Sequence, residues 1–253
     1  MIRLAALLAA LALMAGCGDD GSSLRQVTRG DLIYASGGEG AGRVTVIRRA
    51  DAEPPYPVVI FLHGWGATEP RLYGPWVEHL AREGNAVVYP RYQQSVAEPP
   101  AQVLGNAQAG IRLAFDELDL RRDGLVVAGH SAGGALAADY AAIAARADLP
   151  PPRAVLSMYP GRSFRGIDVG IPSAGPVPAG VTLRVLTGAQ DQVVDPRDAR
   201  AIVRDAGTDD RRLILIRAAG AADHLGPQRD TPIARREFWA RLDRMIAAAE
   251  AAI

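Results

Sequence analysis

The stretch LVVAGHSAGGAL, from Leu125 to Leu136, decides how the chain is interpreted. Its first half is a valine-rich run without polar alternation, which is typical of a strand buried on both faces. Its second half leads into Ala135-Leu136-Ala137-Ala138, a run of residues that favour a helix. Between them lies the pattern Gly-x-Ser-x-Gly, with Gly129, Ser131 and Gly133 at the fixed positions. The glycines suit a sharp strand-to-helix turn, because larger side chains beside the serine would clash there. The stretch therefore predicts that Ser131 lies at the start of a helix, where its hydroxyl can act as a nucleophile.

Apolar runs rich in valine and isoleucine recur on both sides of this stretch. They predict eight strands, at residues 32–36, 43–49, 58–63, 86–90, 125–130, 154–159, 183–188 and 212–217. Helical patterns occupy residues 70–83, 102–118, 132–146, 196–205 and 232–251. Strands that alternate with helices form right-handed crossovers, which predicts an α/β fold with a doubly wound, mostly parallel sheet. The first two strands are joined by a glycine-rich link without a helix, so we expect an antiparallel pair at the N-terminal edge.

The composition excludes several classes of function. The chain has 253 residues, of which 49% are hydrophobic, enough for one domain with a buried core. Its 28 basic and 28 acidic residues balance, so we expect no nucleic-acid partner. Every basic residue is arginine, which excludes mechanisms that need a catalytic lysine. Cys17 is the only cysteine, which excludes an internal disulfide and a cysteine-based metal site. We expect neither a metal nor a cofactor.

The first 17 residues have the organisation of a secretory signal. Arg3 precedes an apolar run at residues 4–14, which is shorter than the roughly 20 residues that span a bilayer. The segment Met14-Ala15-Gly16-Cys17 resembles a bacterial lipobox. This resemblance implies secretion across the cytoplasmic membrane, cleavage before Cys17, and lipidation of Cys17 as an anchor in the bacterial cell envelope. Ordinary secretion with an incidental cysteine is the alternative. Residues 18–30 are expected to form a flexible tether, and residues 31–253 the folded domain.

The serine motif, its flanking strand and helix, and the order of elements together resemble the α/β-hydrolase family. The resemblance extends from Leu32 to Ile253. Within the family, the sequence is similar to bacterial esterases, cutinase-like polyester hydrolases and dienelactone hydrolases. It departs from the last group in having serine, rather than cysteine, as the nucleophile.

The resemblance also implies a base and an acid, because the family's order is Ser, then Asp or Glu, then His. His224 is the only histidine after Ser131, and it lies in a loop of small residues after a predicted strand. The family's acid follows a glycine and two further residues, which implies Asp191 after Gly188. Asp195 remains an alternative, although it precedes a proline and suits a helix N-cap.

The stretch His63-Gly64-Trp65-Gly66 is a candidate oxyanion loop. Preorganised backbone N–H groups must bind the negative charge that acyl transfer places on a carbonyl oxygen. The resemblance implies that these donors belong to Trp65 and Ala132, and we interpret His63 as structural. The Trp65 ring and Tyr92 are expected to contact the substrate, since ligands bind at the carboxyl ends of parallel strands. The alternative for Trp65 is packing on its own loop, and the alternative for Tyr92 is a position on the surface without substrate contact.

Taken together, the residues and the resemblance predict a serine hydrolase that cleaves a small-molecule or polymeric carboxylic ester through an acyl-enzyme. An acyltransferase that uses the same three side chains is one alternative. A surface lipoprotein that keeps the fold without catalysis is another. That second alternative predicts a broken triad, whereas every required residue type is present here.

Overall fold

The computed structural model describes residues 23–167 and 169–253, so the predicted signal segment and Cys17 lie outside the described residues. One sheet with helices on both faces accounts for most of what is described. Its nine strands are β1 (Arg25–Arg29), β2 (Leu32–Gly37), β3 (Val44–Arg49), β4 (Val58–Leu62), β5 (Ala86–Pro90), β6 (Val126–His130), β7 (Ala154–Met158), β8 (Thr182–Gly188) and β9 (Arg211–Ile216).

The helices fall close to the predicted positions. They are α1 (Gly74–Arg82), α2 (Val103–Glu117), α3 (Ala132–Ile143), α4 (Arg197–Asp205), the short α5 (Pro232–Ala234) and α6 (Ala240–Glu250). A 3-10 turn, Pro70–Tyr73, precedes α1, and a π-helical segment, Arg235–Trp239, joins α5 to α6. Within the described ranges, no helix has both the length and the apolar character needed to cross a membrane.

The strand order in the sheet is β1-β2-β3-β5-β4-β6-β7-β8-β9. All pairings from β5 to β9 are parallel, whereas β1, β2 and β3 run antiparallel to their neighbours. This confirms the mostly parallel sheet with an antiparallel N-terminal edge. The carboxyl ends of β4, β6, β8 and β9 therefore meet at one edge of the sheet, which is where ligands bind in such folds.

The prediction of eight strands was one too few, because part of the expected tether is a strand. Arg25–Arg29 pairs with β2 in the register Arg25↔Ser36 to Arg29↔Leu32, and Gly30 turns the chain with a φ of 60°. All five residues of β1 are exposed. An edge strand without a buried face has no hydrophobic period, so its sequence pattern could not reveal it.

The central strands carry the core on both of their faces. Every residue of β4, β5, β6 and β7 is buried, as their uninterrupted apolar runs predicted. On one face, Val127 and Leu136 belong to a cluster that includes α2 and α3. On the other face, Phe61, Trp76 and Leu242 pack in a cluster between the sheet, α1 and α6. Because the central strands are packed on both faces, the loops at their ends are attached to a rigid sheet.

The loop at residues 161–180, after β7, is tied down by a buried ion pair. The guanidinium of Arg162 donates to both carboxylate oxygens of Asp139 on α3, each at 2.8 Å. Asp139 is fully buried, and its Oδ1 also accepts the N–H of Ala174 at 2.9 Å. The carboxylate thus fixes two points of this loop to α3, whose first residue follows Ser131.

Candidate active site

Ser131 occupies the sharp turn that its sequence motif predicts. Its φ of 59° and ψ of −122° are backbone angles that residues with a side chain rarely adopt. The flanking glycines are required by close backbone contacts. A Cβ on Gly129 would lie 2.0 Å from the carbonyl oxygen of Gly133, and a Cβ on Gly133 would lie 2.1 Å from that of Leu62. The strain is therefore held by the surrounding fold, which presents the Ser131 hydroxyl at the start of α3.

Ser131, His224 and Asp191 lie in one line of hydrogen bonds. The Oγ of Ser131 is 3.0 Å from Nε2 of His224, and Nδ1 of His224 is 2.8 Å from Oδ2 of Asp191. The three side chains come from the loops that follow β6, β9 and β8 respectively. All three residues are at most 8% exposed, so bulk water screens these contacts little. The structure thus brings together the three side chains that the sequence singled out.

The carboxylate of Asp191 is held by its second oxygen as well. Its Oδ1 accepts the backbone N–H groups of Val193 at 2.8 Å and Val194 at 3.1 Å. Burial alone would raise the pKa of Asp191, but the hydrogen bonds from His224, Val194 and Val193 bring that pKa below its ordinary value. Asp191 is therefore ionised at neutral pH. The alternative acid, Asp195, accepts the N–H of Arg197 at the start of α4 instead.

Two backbone N–H groups are available beside Ser131. The backbone N–H groups of the residues on either side of Trp65 and Ala132 all donate to acceptors elsewhere in the fold. Gly64 and Gly66 donate to the Tyr73 hydroxyl and to Oε1 of Gln93. Ser131 and Gly133 donate to the carbonyl oxygens of Met158 and His63. Among the residues that the structure describes, the N–H groups of Trp65 and Ala132 have no such partner. These are the two donors that the family resemblance implied.

His63 holds the loop that carries Trp65, as predicted, rather than facing a substrate. It is completely buried, with its ring nitrogens 2.7 Å from the carbonyl oxygen of Gly64 and 2.6 Å from that of Arg91. Burial lowers the pKa of His63 to about 4, so the ring is neutral at physiological pH and donates through one nitrogen. The side chain therefore donates to one of these two carbonyl oxygens and packs against the other, between the oxyanion loop and the loop after β5.

The prediction that Tyr92 contacts the substrate is wrong. Tyr92 is 0% exposed, and its ring stacks on His63 with 3.9 Å between centroids. Its hydroxyl donates to the carbonyl oxygen of His63. The chain turns at Tyr92 with a φ of 39°, which directs the side chain under the loop instead of into solvent. Tyr92 thus supports the oxyanion loop from below.

Of the two interpretations of Trp65 that the sequence left open, the structure shows packing, and substrate contact stays a prediction. Its ring is partly exposed beside the free backbone N–H, and it also packs against the core. Its Nε1 donates to the carbonyl oxygen of Val96 at 3.1 Å, which connects the oxyanion loop to the loop after β5. The ring is therefore fixed beside the candidate oxyanion donor.

Sequence reasoning assigned no role to Tyr73 or to His130. The structure places the Tyr73 hydroxyl 2.7 Å from Nδ1 of His130, and Nε2 of His130 lies 2.8 Å from the carbonyl oxygen of His224. Tyr73 is in a 3-10 turn without a motif, so no local signal could have revealed this contact.

The buried histidines predict how stability depends on pH. Burial lowers the pKa of His63 to about 4 and that of His130 to about 3, from an ordinary value of 6.5. As pH falls below 6.5, the unfolded chain takes up protons at these rings and the folded chain does not. The stabilisation is therefore complete above pH 6.5 and is lost on acidification toward the folded pKa values. At pH 4.5 we expect a loss of about 2–3 kcal/mol for each ring, measured by urea unfolding at pH 7 and pH 4.5.

The variant His130→Gln isolates one of the two rings, because glutamine cannot take up a proton. The difference in unfolding free energy between pH 7 and pH 4.5 should shrink by about 2–3 kcal/mol in this variant. An unchanged difference would contradict the assignment of this titration to His130.

The comparisons with known proteins agree with this geometry. A family model described as the alpha/beta hydrolase fold matches residues 59–209, which is more than half of the chain. No curated protein matches the sequence at a significant level. Similar solved structures include esterase B from Lactobacillus rhamnosis, with 15% identity, 90% of each chain covered and a TM-score of 0.66. Carboxyl esterase 2 from Tuber melanosporum has 14% identity over 91% of this chain and 89% of that chain, with a TM-score of 0.66.

A dienelactone hydrolase-like protein from Klebsiella pneumoniae is also similar, with 18% identity over 85% of this chain and 98% of that chain and a TM-score of 0.59. At such identities these structures establish the fold and not the substrate. The family match and the observed sheet agree with each other and with the resemblance seen in the sequence. The chain therefore belongs to the alpha/beta hydrolase fold family.

Proposed function

We propose that the protein is a serine hydrolase that cleaves carboxylic esters through an acyl-enzyme intermediate. The observation that carries this proposal is the hydrogen-bonded line from Ser131 through His224 to Asp191, with two free backbone N–H groups beside the serine. A nucleophile, a base that contacts it, and an acid that orients the base are the parts that acyl transfer needs. The esterases among the structural neighbours support the same chemistry.

The first half of the reaction forms the acyl-enzyme. Oγ of Ser131 attacks the ester carbonyl carbon while its proton passes to Nε2 of His224. The carbonyl oxygen becomes negative and is bound by the N–H groups of Trp65 and Ala132; in other enzymes one such donor contributes about 3–4 kcal/mol. The carbonyl then reforms, the carbon–oxygen bond to the alcohol breaks, and His224 gives its proton to the departing alcohol. Asp191 stabilises the protonated ring of His224 during this step.

The second half releases the acid. A water molecule takes the place of the alcohol, and His224 removes a proton from it as it attacks the acyl carbon. The same N–H groups bind the second tetrahedral oxyanion. Collapse of this intermediate breaks the bond to Oγ and returns the proton from His224 to Ser131. Both halves thus use one base, which alternates between accepting and donating a single proton.

The experiment that tests this proposal is the hydrolysis of p-nitrophenyl acetate, butyrate and octanoate by the chain without residues 1–17. We expect release of nitrophenol with each ester that fits, and covalent modification of Ser131 by a fluorophosphonate. If a folded protein shows neither release of nitrophenol nor modification of Ser131, the alternative of a surface lipoprotein without catalysis is favoured. Adding an acceptor alcohol separates hydrolysis from acyl transfer, because a transferase would form a new ester rather than the free acid.

We also propose that the mature protein is anchored in the bacterial cell envelope through a lipid on Cys17. The lipobox-like sequence at residues 14–17 supports this, since a diacylated N-terminal cysteine provides more than one chain and so a stable anchor. Expressed in bacteria with labelled palmitate, the full chain should incorporate label, and Cys17→Ser should not. Equal labelling of both proteins would contradict the proposal.

A further inference from the structure

A buried chain of hydrogen bonds connects the two loops on which the proposed chemistry depends. The N–H of Gly64, in the oxyanion loop, donates to the Tyr73 hydroxyl at 3.0 Å. That hydroxyl is 2.7 Å from Nδ1 of His130, and Nε2 of His130 is 2.8 Å from the carbonyl oxygen of His224. Tyr73 and His130 are each 1% exposed. The oxyanion loop follows β4 and the His224 loop follows β9, so this chain joins distant parts of the sequence.

The direction of every bond in this chain follows from its ends. The His224 carbonyl can only accept, so Nε2 of His130 carries the proton and donates. Nδ1 of the same neutral ring is then bare and accepts the hydroxyl proton of Tyr73. The tyrosine oxygen in turn accepts the N–H of Gly64 and, at 3.3 Å, an amide proton of Gln228. Each donor meets an acceptor, so the buried network is fully satisfied.

Burial also keeps both side chains in one protonation state. It lowers the pKa of His130 to about 3 and raises the pKa of Tyr73 to about 12. Both groups are therefore neutral throughout the range in which an esterase works. The bonds do not switch with pH, and the network acts as a fixed support.

We propose that Tyr73 and His130 are positioning residues that hold the oxyanion loop and the His224 loop in fixed positions relative to each other. This inference rests on the proposed esterase function. The bond to Gly64 fixes the backbone immediately before the free N–H of Trp65, and the bond to the His224 carbonyl fixes the backbone of the base. A displacement near 1 Å at such groups can lower a rate by about a hundredfold. Tyr73 and His130 together thus link the backbone of His224 to the backbone beside the Trp65 N–H.

Three substitutions cut this chain at different bonds. Tyr73→Phe keeps the ring but removes the hydroxyl, which leaves the Gly64 N–H without its partner. His130→Asn places an amide oxygen near the former Nδ1, so it keeps the bond from Tyr73 and loses the one to His224. His130→Gln reaches further, so its amide can still donate to the His224 carbonyl while the acceptor for Tyr73 is lost. The matched control is Tyr140→Phe, which removes another buried tyrosine hydroxyl, bonded at 2.9 Å to the Pro150 carbonyl outside the network.

The test measures kcat, KM and thermal stability for the full-length chain and these four variants with p-nitrophenyl butyrate. For Tyr73→Phe and His130→Asn we expect kcat to fall by about 10- to 100-fold with KM changed by less than about threefold, because positioning acts on the transition state. His130→Gln also interrupts the chain, at the bond from Tyr73, so we expect its kcat to fall as well; unchanged kcat in both His130 variants would contradict the proposal. Tyr140→Phe should lose similar stability while keeping kcat within about twofold. The proposal would be overturned if Tyr73→Phe and Tyr140→Phe lost kcat equally, or if Tyr73→Phe and His130→Asn changed KM without changing kcat.

Hydrogen exchange separates this inference from the proposed function. If the wild-type chain hydrolyses no ester, the esterase proposal fails, and amide exchange in the loop around His224 still tests the connection. Faster exchange there in Tyr73→Phe, and not in Tyr140→Phe, supports a structural coupling between the two loops. Unchanged exchange would overturn the coupling even in an active enzyme.

Discussion

Replacing Ser131 with alanine is expected to reduce ester hydrolysis to the background rate, a loss of roughly a million-fold in turnover. In the proposed mechanism Oγ of Ser131 forms the bond of the acyl-enzyme, so without it His224 has no proton to accept and no tetrahedral intermediate forms. The smaller alanine side chain occupies the same turn, and the glycines that permit this turn are unchanged. The fold should therefore survive. Steady-state hydrolysis of p-nitrophenyl butyrate, with the burst of nitrophenol in the first turnover, measures the effect.

Ser157→Ala is the matched control for this prediction. Ser157 is also buried, at the carboxyl-end half of β7, and its hydroxyl donates to the Gly134 carbonyl at 2.8 Å rather than to His224. This variant should keep turnover within about tenfold of wild type, since it loses one hydrogen bond and no catalytic group. Equal activity in Ser131→Ala and the wild type would show that another group is the nucleophile.

The central sheet could be predicted because its residues carry the signal themselves. Strands β4 to β7 are buried on both faces, and such strands require uninterrupted apolar runs. The strand β1 lacks this requirement, because its stability comes from backbone bonds to β2 while its side chains remain exposed. The opposite edge strand β9 was predicted because its sequence is apolar, although only Ile216 of it is buried. Local composition therefore predicts apolar strands and misses a polar one such as β1.

The residues of the candidate site also differ in whether the sequence alone could predict their place in the structure. Ser131 has a motif because its strained turn restricts the neighbouring residues, and Asp191 and His224 could be singled out because family resemblance implies their order along the chain. The interpretation of Tyr92 failed because the direction of its side chain depends on a φ of 39° that no sequence pattern encodes. The bond from Tyr73 to His130 spans 57 residues, and the bond from His130 to His224 spans 94. Contacts of this kind depend on the completed fold.

Tyrosine hydroxyls support the backbone of both catalytic loops. The chain has seven tyrosines, and four of them bond to these loops. Three bond to the oxyanion loop, Tyr73 by accepting the Gly64 N–H and Tyr89 and Tyr92 by donating to the carbonyls of Ala67 and His63; the fourth, Tyr159, donates to the Ala221 carbonyl near His224. An oxyanion site works only if its donors are oriented before the reaction begins, so rigid buried supports are suited to this position.

Asp191→Asn is expected to lower turnover by about ten-thousandfold while leaving the fold intact. Oδ1 of Asp191 accepts two backbone N–H groups, from Val193 and Val194, and the asparagine oxygen must stay there to satisfy them. The amide nitrogen then faces Nδ1 of His224 and donates to it. This reverses the tautomer of His224, so that Nε2 carries a proton and cannot accept one from Ser131. The ratio kcat/KM with p-nitrophenyl butyrate, together with thermal unfolding, measures both parts of the prediction.

Asp195→Asn provides the control, because it makes the same change of charge in the same loop. The side chain of Asp195 accepts the N–H of Arg197 at 2.8 Å, and asparagine can accept that bond equally well. We therefore expect activity within about threefold of wild type. A larger loss in Asp195→Asn than in Asp191→Asn would identify Asp195 as the acid. Small losses in both would mean that His224 acts without an anionic partner. The two variants are expected to differ in activity for one reason. Only the carboxylate of Asp191 has one oxygen bonded to backbone N–H groups and the other oxygen facing His224.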